Sequence, residues 1–535
     1  MSSGRRHALP ALAAGLIAMG FAAVCTAFVW QSTLTSFADD SVSYLVMARV
    51  FSPWQAASAP LAEAFAREAV YPPLFPALLA ATGAAHDLAL AHALNALVMS
   101  ACLVLLYFLG ADWLGSRWAA AGVVAVSALL PALWIHVKAI LSEPLFCLVL
   151  LGALRALDRA GDGRARGGTL AILMTALVMT RAAGLAVIAG YAAWVLTRRQ
   201  MPLPRRMGAL LPALVAGAAF AGWMLLRPAE GGGYGATLLD RFQHFHGAAS
   251  PLTAWGESLL RQAVAMAEAW AGALLLFWVE GQPLRVALAG AVGTLALAGM
   301  ALRLAAGKPD AWMIAAYLAQ LLSWPFYDQM TRFLFPVVPV LVLYAFAAAG
   351  AGLKRLGRPP ALSHAVVALL VASLAAPAAG FLHQRAKSGA RHAGIIDWYR
   401  TPDLEQARLR AQVHLDLMDD MERIRALTRE GDRVMWVAPA YIALLAERHG
   451  VPAPPPNLPP ADYRQAVREA RPDYVFLSAY HPRDTLSDAA WRTGTAAMRD
   501  DAQVVHARRR ADGTLSSLLV RPLDFPVLAR GETAR

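Results

Sequence analysis

Long apolar stretches rich in Ala, Leu and Val recur from residue 8 to residue 382, each of roughly the 20 residues that cross a bilayer core. With 58% hydrophobic residues and a mean hydropathy of +0.46, this is not an ordinary soluble chain. After residue 383 the composition changes: Arg, Asp, Glu, His and Pro become frequent, and no spanning stretch remains. The expected fold is an α-helical polytopic membrane domain, residues 1–382, followed by a small soluble α/β domain, residues 383–535.

A net charge of +12 over 535 residues invites a nucleic-acid partner, but the position of the charge argues against one. Arg5-Arg6 precede the first apolar stretch, and Arg164 with Arg166, Arg198-Arg199, Arg205-Arg206 and Lys354-Arg355 fall in short loops between later ones. This is the positive-inside pattern that orients membrane proteins. No aromatic or groove-reading context accompanies the charge, so no nucleic acid is expected. Cys25, Cys102 and Cys147 all lie within apolar stretches and give neither a disulfide framework nor metal-ligand spacing. The first stretch is too long for a removable signal peptide, lacks a persuasive cleavage site, and reads as a retained anchor.

Placing Arg5-Arg6 in the cytoplasm threads about eleven spans through the membrane. They run over 8–30, 88–109, 118–137, 144–158, 168–180, 183–197, 208–226, 284–304, 311–326, 333–350 and 361–382. Every strongly basic loop is then cytoplasmic. Residues 31–87 and 227–283 form large outer loops, the first expected to lie on the membrane as interfacial helices. An apolar stretch at 263–279 in the second reads as interfacial or partly inserted. The tail leaves on the outer side, with strands expected at 433–437, 474–477, 504–509 and 515–520, and helices at 440–449 and 461–470. No phosphate-gripping glycine loop opens either helix, which speaks against a nucleotide site there.

This threading gathers ionisable groups on one face. Asp39 and Asp40 follow the first span in Phe37-Ala-Asp-Asp-Ser-Val-Ser-Tyr44. Adjacent carboxylates beside lipid are costly, and one of them is expected to act as a base or ligand. Tyr71 opens a Pro-Pro segment, and Glu143 sits in Leu141-Ser-Glu-Pro-Leu145 between the third and fourth spans. Arg181 marks the hinge between two short spans, His244 and His246 lie in the second outer loop, and Asp328 and Arg332 precede the tenth span. Each has a plainer reading. Glu143 at a helix start stabilises the helix dipole in any case, Arg181 could snorkel from a span end, and Arg332 could pair with Asp328. His244 and His246, at i, i+2, share a face only on a strand, which makes a weak metal site. The short spans around Arg181 favour a recessed phosphate pocket over snorkelling.

In order along the chain, Asp39-Asp40-Ser-Val-Ser-Tyr44, Tyr71-Pro-Pro-Leu-Phe-Pro76, Leu141-Ser-Glu-Pro-Leu145, Thr180-Arg181 and Arg332-Phe-Leu-Phe-Pro-Val-Val-Pro339 resemble the polytopic GT-C glycosyltransferases. The likeness is to the family 39-like protein mannosyltransferases and lipid A aminoarabinose transferases, and it covers about residues 8–382. It implies transfer of a sugar from a polyprenyl-phosphate carrier to a lipid, glycan or protein acceptor on the outer face, by direct single displacement that inverts the anomeric centre. By position, Asp39 corresponds to the catalytic aspartate and Asp40 to the second acidic residue of the usual Asp-Glu pair. Arg181 corresponds to the residue on the carrier phosphate and Glu143 to an acidic residue at the pocket mouth. Tyr44, Tyr71, His244, His246, Asp328 and Arg332 complete the expected substrate-binding set. Where relatives often carry Lys before the first-loop proline, this chain has Tyr71. No cofactor is required, although Glu143 with a loop histidine could hold a divalent ion.

The Ala/Arg-rich composition points to a bacterial inner membrane, with the tail in the periplasm. A transporter or flippase is the main alternative, since it explains many spans and buried charges without chemistry. It is disfavoured because no internal repeat is visible and the charges gather at one face.

Overall fold

The computed structural model describes residues 3–30, 34, 38–161, 167–227, 251–275, 282–324, 326–357, 359–387, 403–479, 487–510 and 512–523. The membrane part contains α1 (Ser3–Val29), α2 (Ala38–Phe51), α3 (Ala59–Glu68), α4 (Leu74–Ala81), α5 (Leu88–Leu114), α6 (Arg117–Leu129) and α7 (Pro131–Val137). It continues with α8 (Glu143–Gly161), α9 (Gly167–Thr180), α10 (Gly184–Thr197), α11 (Leu203–Leu226) and α12 (Pro251–Leu275). It ends with α13 (Pro283–Ala305), α14 (Pro309–Ser323), the short α15 (Met330–Leu334), α16 (Val338–Arg355) and α17 (Pro360–Lys387).

Among the described residues, six helices are long and apolar enough to cross a membrane, and the pair α6–α7, bent by 58° at Leu130, makes a seventh. The expectation of about eleven spans therefore divides into full crossings and shorter pieces. α9 and α10 have 14 residues each, or about 21 Å of helix against a core of about 30 Å. α14 has 15 residues, and α8 carries Arg155, Asp158 and Arg159 in its last turns. The stretch at 263–279 is in part the second half of α12, whose Ala269, Trp270 and Leu274 join the main membrane core.

Small residues let these helices approach closely, as lipid-embedded packing requires. At Gly299 an added Cβ would run into the backbone carbonyl of Tyr344, where α13 crosses α16. At Gly184 it would lie 2.8 Å from the Leu177 carbonyl carbon and 2.8 Å from the Val178 nitrogen. Only glycine fits there, so α9 and α10 fold into a tight hairpin with Arg181 at its turn. At the other end of the bundle, Arg303 grips Asp310 with two bonds of 2.7 Å and lies 3.7 Å above the Trp113 ring, while Tyr344 donates to Asp310 at 2.8 Å.

Between α1 and α5, α2, α3 and α4 pack together, and the tail packs onto them. The tail contains α18 (Leu404–Leu427), α19 (Pro460–Ala470), α20 (Ser487–Met498) and five strands: β1 (Arg433–Trp436), β2 (His449–Pro452), β3 (Tyr474–Ser478), β4 (Ala502–Arg509) and β5 (Leu515–Pro522). Their order is β2-β1-β3-β5-β4, parallel through β2, β1 and β3 and antiparallel from β3 to β4. Four strands fall where alternation and apolar runs place them. The expected helix at 440–449 is instead a short turn, Pro439–Tyr441, running into a π turn, Ile442–Ala446, and then into β2. The apolar run there is too short to distinguish a helix from a strand approach by pattern alone.

The tail is fixed by both packing and polar contacts. Val42, Leu61 and Phe75 share one core with Trp436, Tyr441 and Leu444. Arg49 donates to the Leu444 carbonyl at 2.9 Å, Arg67 donates to the Gly450 carbonyl at 3.1 Å, and His449 meets Glu63 at 2.7 Å. The π turn leaves a carbonyl free of a regular helical partner, and Arg49 takes it.

Substituting Gly184→Val should lower the apparent unfolding temperature in detergent by an amount matching the ~1–3 kcal/mol typical of overpacking. Gly217→Ala, where an added Cβ meets nothing within 4 Å, should leave it unchanged.

Candidate active site

Five separate segments bring the charges together. Asp39 and Asp40 open α2, where carboxylates are favoured by the helix dipole. Tyr71 lies in the turn before α4. Residues 138–142 form a buried loop shaped by Asn95, whose side-chain amide donates to the carbonyls of Ala139 at 2.5 Å and Leu141 at 3.3 Å. That loop delivers Ser142 and Glu143 to the start of α8. Arg181 comes from the α9–α10 turn. Arg332 lies on α15, in a stretch kept irregular by Pro336 and Pro339 and tied to α14 by the Tyr317 hydroxyl, which donates to the Phe333 carbonyl at 2.7 Å.

Their side chains form a closed ring of contacts. Arg332 bonds Asp40 Oδ2 through Nη1 at 2.5 Å and donates from Nε to Glu143 Oε1. The same Glu143 oxygen receives Arg181 Nη1 at 2.7 Å. Arg181 Nη1 also donates to Ser142 Oγ at 3.0 Å, and Ser142 Oγ lies 2.8 Å from the Tyr44 hydroxyl. The Tyr44 ring packs against Tyr71 with centroids 4.9 Å apart, and the Tyr71 hydroxyl donates to Asp40 Oδ1 at 2.8 Å. The Phe333 ring flanks both guanidiniums, 5.9 Å from Arg181 and 6.0 Å from Arg332.

Glu143 is completely buried, and its second oxygen, Oε2, has no hydrogen-bond partner among the described residues. Asp40, with a side chain 23% exposed, is the most exposed of the four charged groups. Burial alone would raise the Asp40 carboxyl, but the Arg332 guanidinium and the Tyr71 hydroxyl hold it below its usual range. Its contribution to stability is therefore present at neutral pH and fades as pH falls through that lowered range.

Of the residues singled out in the sequence, the ring unites Asp40, Tyr44, Tyr71, Glu143, Arg181 and Arg332. The Asp39 side chain, His244 and His246 lie outside the described residues. Asp328 is exposed, and Arg332, four residues on, turns to Asp40 and Glu143 instead. Among the described residues no three His, Cys, Asp or Glu side chains gather as a metal set. Pattern reading missed Ser142 and Asn95, both fully buried, along with the buried His136 and Lys138. His136 stacks on Phe335 with centroids 4.0 Å apart, and its Nδ1 lies 2.7 Å from the Ala132 carbonyl. The available signal was a cluster of polar side chains, His136, Lys138, Ser142 and Glu143, inside an otherwise apolar run.

One carboxylate between two buried guanidiniums cannot be neutralised without leaving positive charge uncompensated. Glu143→Gln should therefore cost about 3 kcal/mol or more, read as a fall in apparent unfolding temperature in detergent. The double variant Glu143→Gln/Arg181→Gln should recover part of that loss, and a Glu143→Gln protein as stable as the parent would contradict the burial described here.

No protein-family model matches the chain, and no curated protein matches it by sequence. Solved structures do. ArnT from Cupriavidus metallidurans in the apo state gives a TM-score of 0.53 at 13% identity, covering 97% of this chain and 98% of that one. ArnT from the same organism bound to undecaprenyl phosphate gives 0.50 at 12%, covering 94% and 97%. The Archaeoglobus fulgidus oligosaccharyltransferase tethered to an acceptor peptide gives 0.50 at 13%, covering 98% and 75%. At these identities the likeness is one of architecture: the chain has the GT-C fold of the polytopic glycosyltransferases.

Proposed function

We propose that the protein transfers a sugar from a polyprenyl-phosphate carrier to an acceptor on the extracytoplasmic face of the membrane. The observation that carries this reading is the pair of guanidiniums, Arg181 and Arg332, meeting at one buried carboxylate oxygen beside the α2 acidic pair. Such a site can take the phosphate of a lipid whose chain lies among the helices. Arginine's fixed fork of donors suits phosphate oxygens and stabilises the charge that develops as the carrier leaves. The hairpin α9–α10, of two 14-residue helices, is too short to cross a bilayer core, and on this reading it sets Arg181 at a depth that a lipid headgroup can reach.

Asp39 is the proposed general base and Asp40 its organiser. Both Asp40 oxygens are engaged, Oδ1 by Tyr71 and Oδ2 by Arg332. A carboxylate held by two donors is a poor proton acceptor, which leaves the adjacent Asp39 to take the proton from the acceptor group. Direct displacement by that group then breaks the bond between the anomeric carbon and the phosphate oxygen, with inversion. The charge of the leaving phosphate is assigned to the arginines, and the scheme calls for no cofactor. The tail, docked on α2 and α3, covers the acceptor side. The basic loops favour an extracytoplasmic tail, and the Ala/Arg-rich composition favours a bacterial inner membrane, which would make that side the periplasm.

In a transfer assay with a lipid-linked sugar, Asp39→Asn should lower kcat by about 10²–10⁴-fold with donor binding retained. Asp40→Asn should weaken donor use as well, because Arg332 loses its anchor. Arg181→Ala should act chiefly on the KM for the donor. Normal turnover by Asp39→Asn would remove the proposed base, and an Arg181→Ala effect confined to the acceptor would remove the phosphate assignment.

A further inference from the structure

The ring contains two groups that its own members do not satisfy. Glu143 Oε2 is a buried acceptor without a donor among the described residues. The second is a proton. Tyr44 and Ser142 are both buried, at 1% and 0% exposure, and their oxygens lie 2.8 Å apart. Each hydroxyl carries one O–H, and one contact uses only one of the two. Ser142 Oγ already accepts from Arg181 Nη1 at 3.0 Å, so the serine oxygen is anchored whichever hydroxyl donates to the other. One O–H remains, and among the described residues no acceptor meets it.

Burying a hydroxyl donor away from water without an acceptor is unfavourable. A spare donor and a spare acceptor that fail to meet, beside two arginines, describe a site shaped for something else. A ligand that offers anionic oxygens and also hydroxyl groups would satisfy both.

We propose that the Tyr44–Ser142 hydroxyl pair is a phosphate-binding element, donating its free O–H to a phosphate oxygen that Arg181 holds at the same time. This rests on the reading of Arg181 as the phosphate ligand. Ser142 has a second part in it: as acceptor for Nη1 it fixes which way the Arg181 fork faces. The stacking of Tyr44 against Tyr71 and Phe75, with centroids 4.9 and 5.2 Å away, holds the phenol in place for that role. The ligand chemistry is a phosphate monoester or diester, borne by a lipid or free in solution.

The test measures affinity for undecaprenyl phosphate in detergent micelles, with undecaprenol and inorganic phosphate as separate arms. Tyr44→Phe and Ser142→Ala should each weaken undecaprenyl phosphate binding about tenfold or more, the range for a lost hydrogen bond to a charged group. The double variant should lose less than the product of the two, since one relay serves both. Ser142→Thr, which keeps the hydroxyl, should bind nearly as the parent does, and undecaprenol binding should be unchanged throughout. A parallel loss with inorganic phosphate assigns the site to the bare headgroup; a loss confined to the lipid assigns it to a chain-bearing phosphate.

Parental affinity in Tyr44→Phe and Ser142→Ala, with binding lost in Arg181→Ala, would overturn the hydroxyl-pair proposal and leave the enzyme reading standing. Parental affinity in Arg181→Ala as well would overturn both. An equal loss of undecaprenol binding would reduce the pair to a structural role and also overturn the proposal.

Discussion

A single carboxylate oxygen, Glu143 Oε1, sits between the guanidiniums of Arg181 and Arg332 with no access to water. Two cations that close would repel strongly in a low-dielectric interior, and Glu143 together with Asp40 makes their meeting tolerable. The surrounding architecture serves that contact. Gly184 lets α9 and α10 close into the hairpin that presents Arg181, prolines keep the approach to α16 irregular so that Arg332 turns inward, and Asn95 shapes the loop that delivers Glu143. A buried ion cluster of this kind is weak evidence for stability. It is better understood as a pre-organised set of charges, assembled before any ligand arrives.

The tail takes part through α2. The helix that begins with the acidic pair also carries Val42 into the core shared with Trp436 and Tyr441, and carries Arg49 to the Leu444 carbonyl. A shift of the tail would therefore be felt at Asp40 and, through Arg332, at Glu143. This coupling gives the tail a physical route to the site, although among the described residues its sheet contributes no member of the ring.

Much of the fold was legible because hydropathy and charge are strong signals in lipid. Apolar runs located the long helices. The ionisable residues Asp40, Glu143, Arg181 and Arg332 stood out because such groups are rare at membrane depth. Less could be read where the signal was weak or the partner distant in sequence. Asp328, four residues before Arg332, looked like its natural partner, whereas the real partners lie on α2 and at the start of α8. Ser142 and Asn95 are residue types that occur anywhere, and only the fold reveals that both are buried against the site. The π turn was hidden in an apolar run that reads equally well as a helix, and β2 in the four residues His449–Pro452 just beyond it.

The central claim is that this ring of side chains holds a lipid phosphate. The most direct measurement is an experimental structure of the full chain with a polyprenyl phosphate bound. The account predicts the phosphorus within hydrogen-bonding reach of both Arg181 and Arg332, on the Asp40 side of Glu143. A phosphate bound elsewhere, with the ring intact and unliganded, would contradict it.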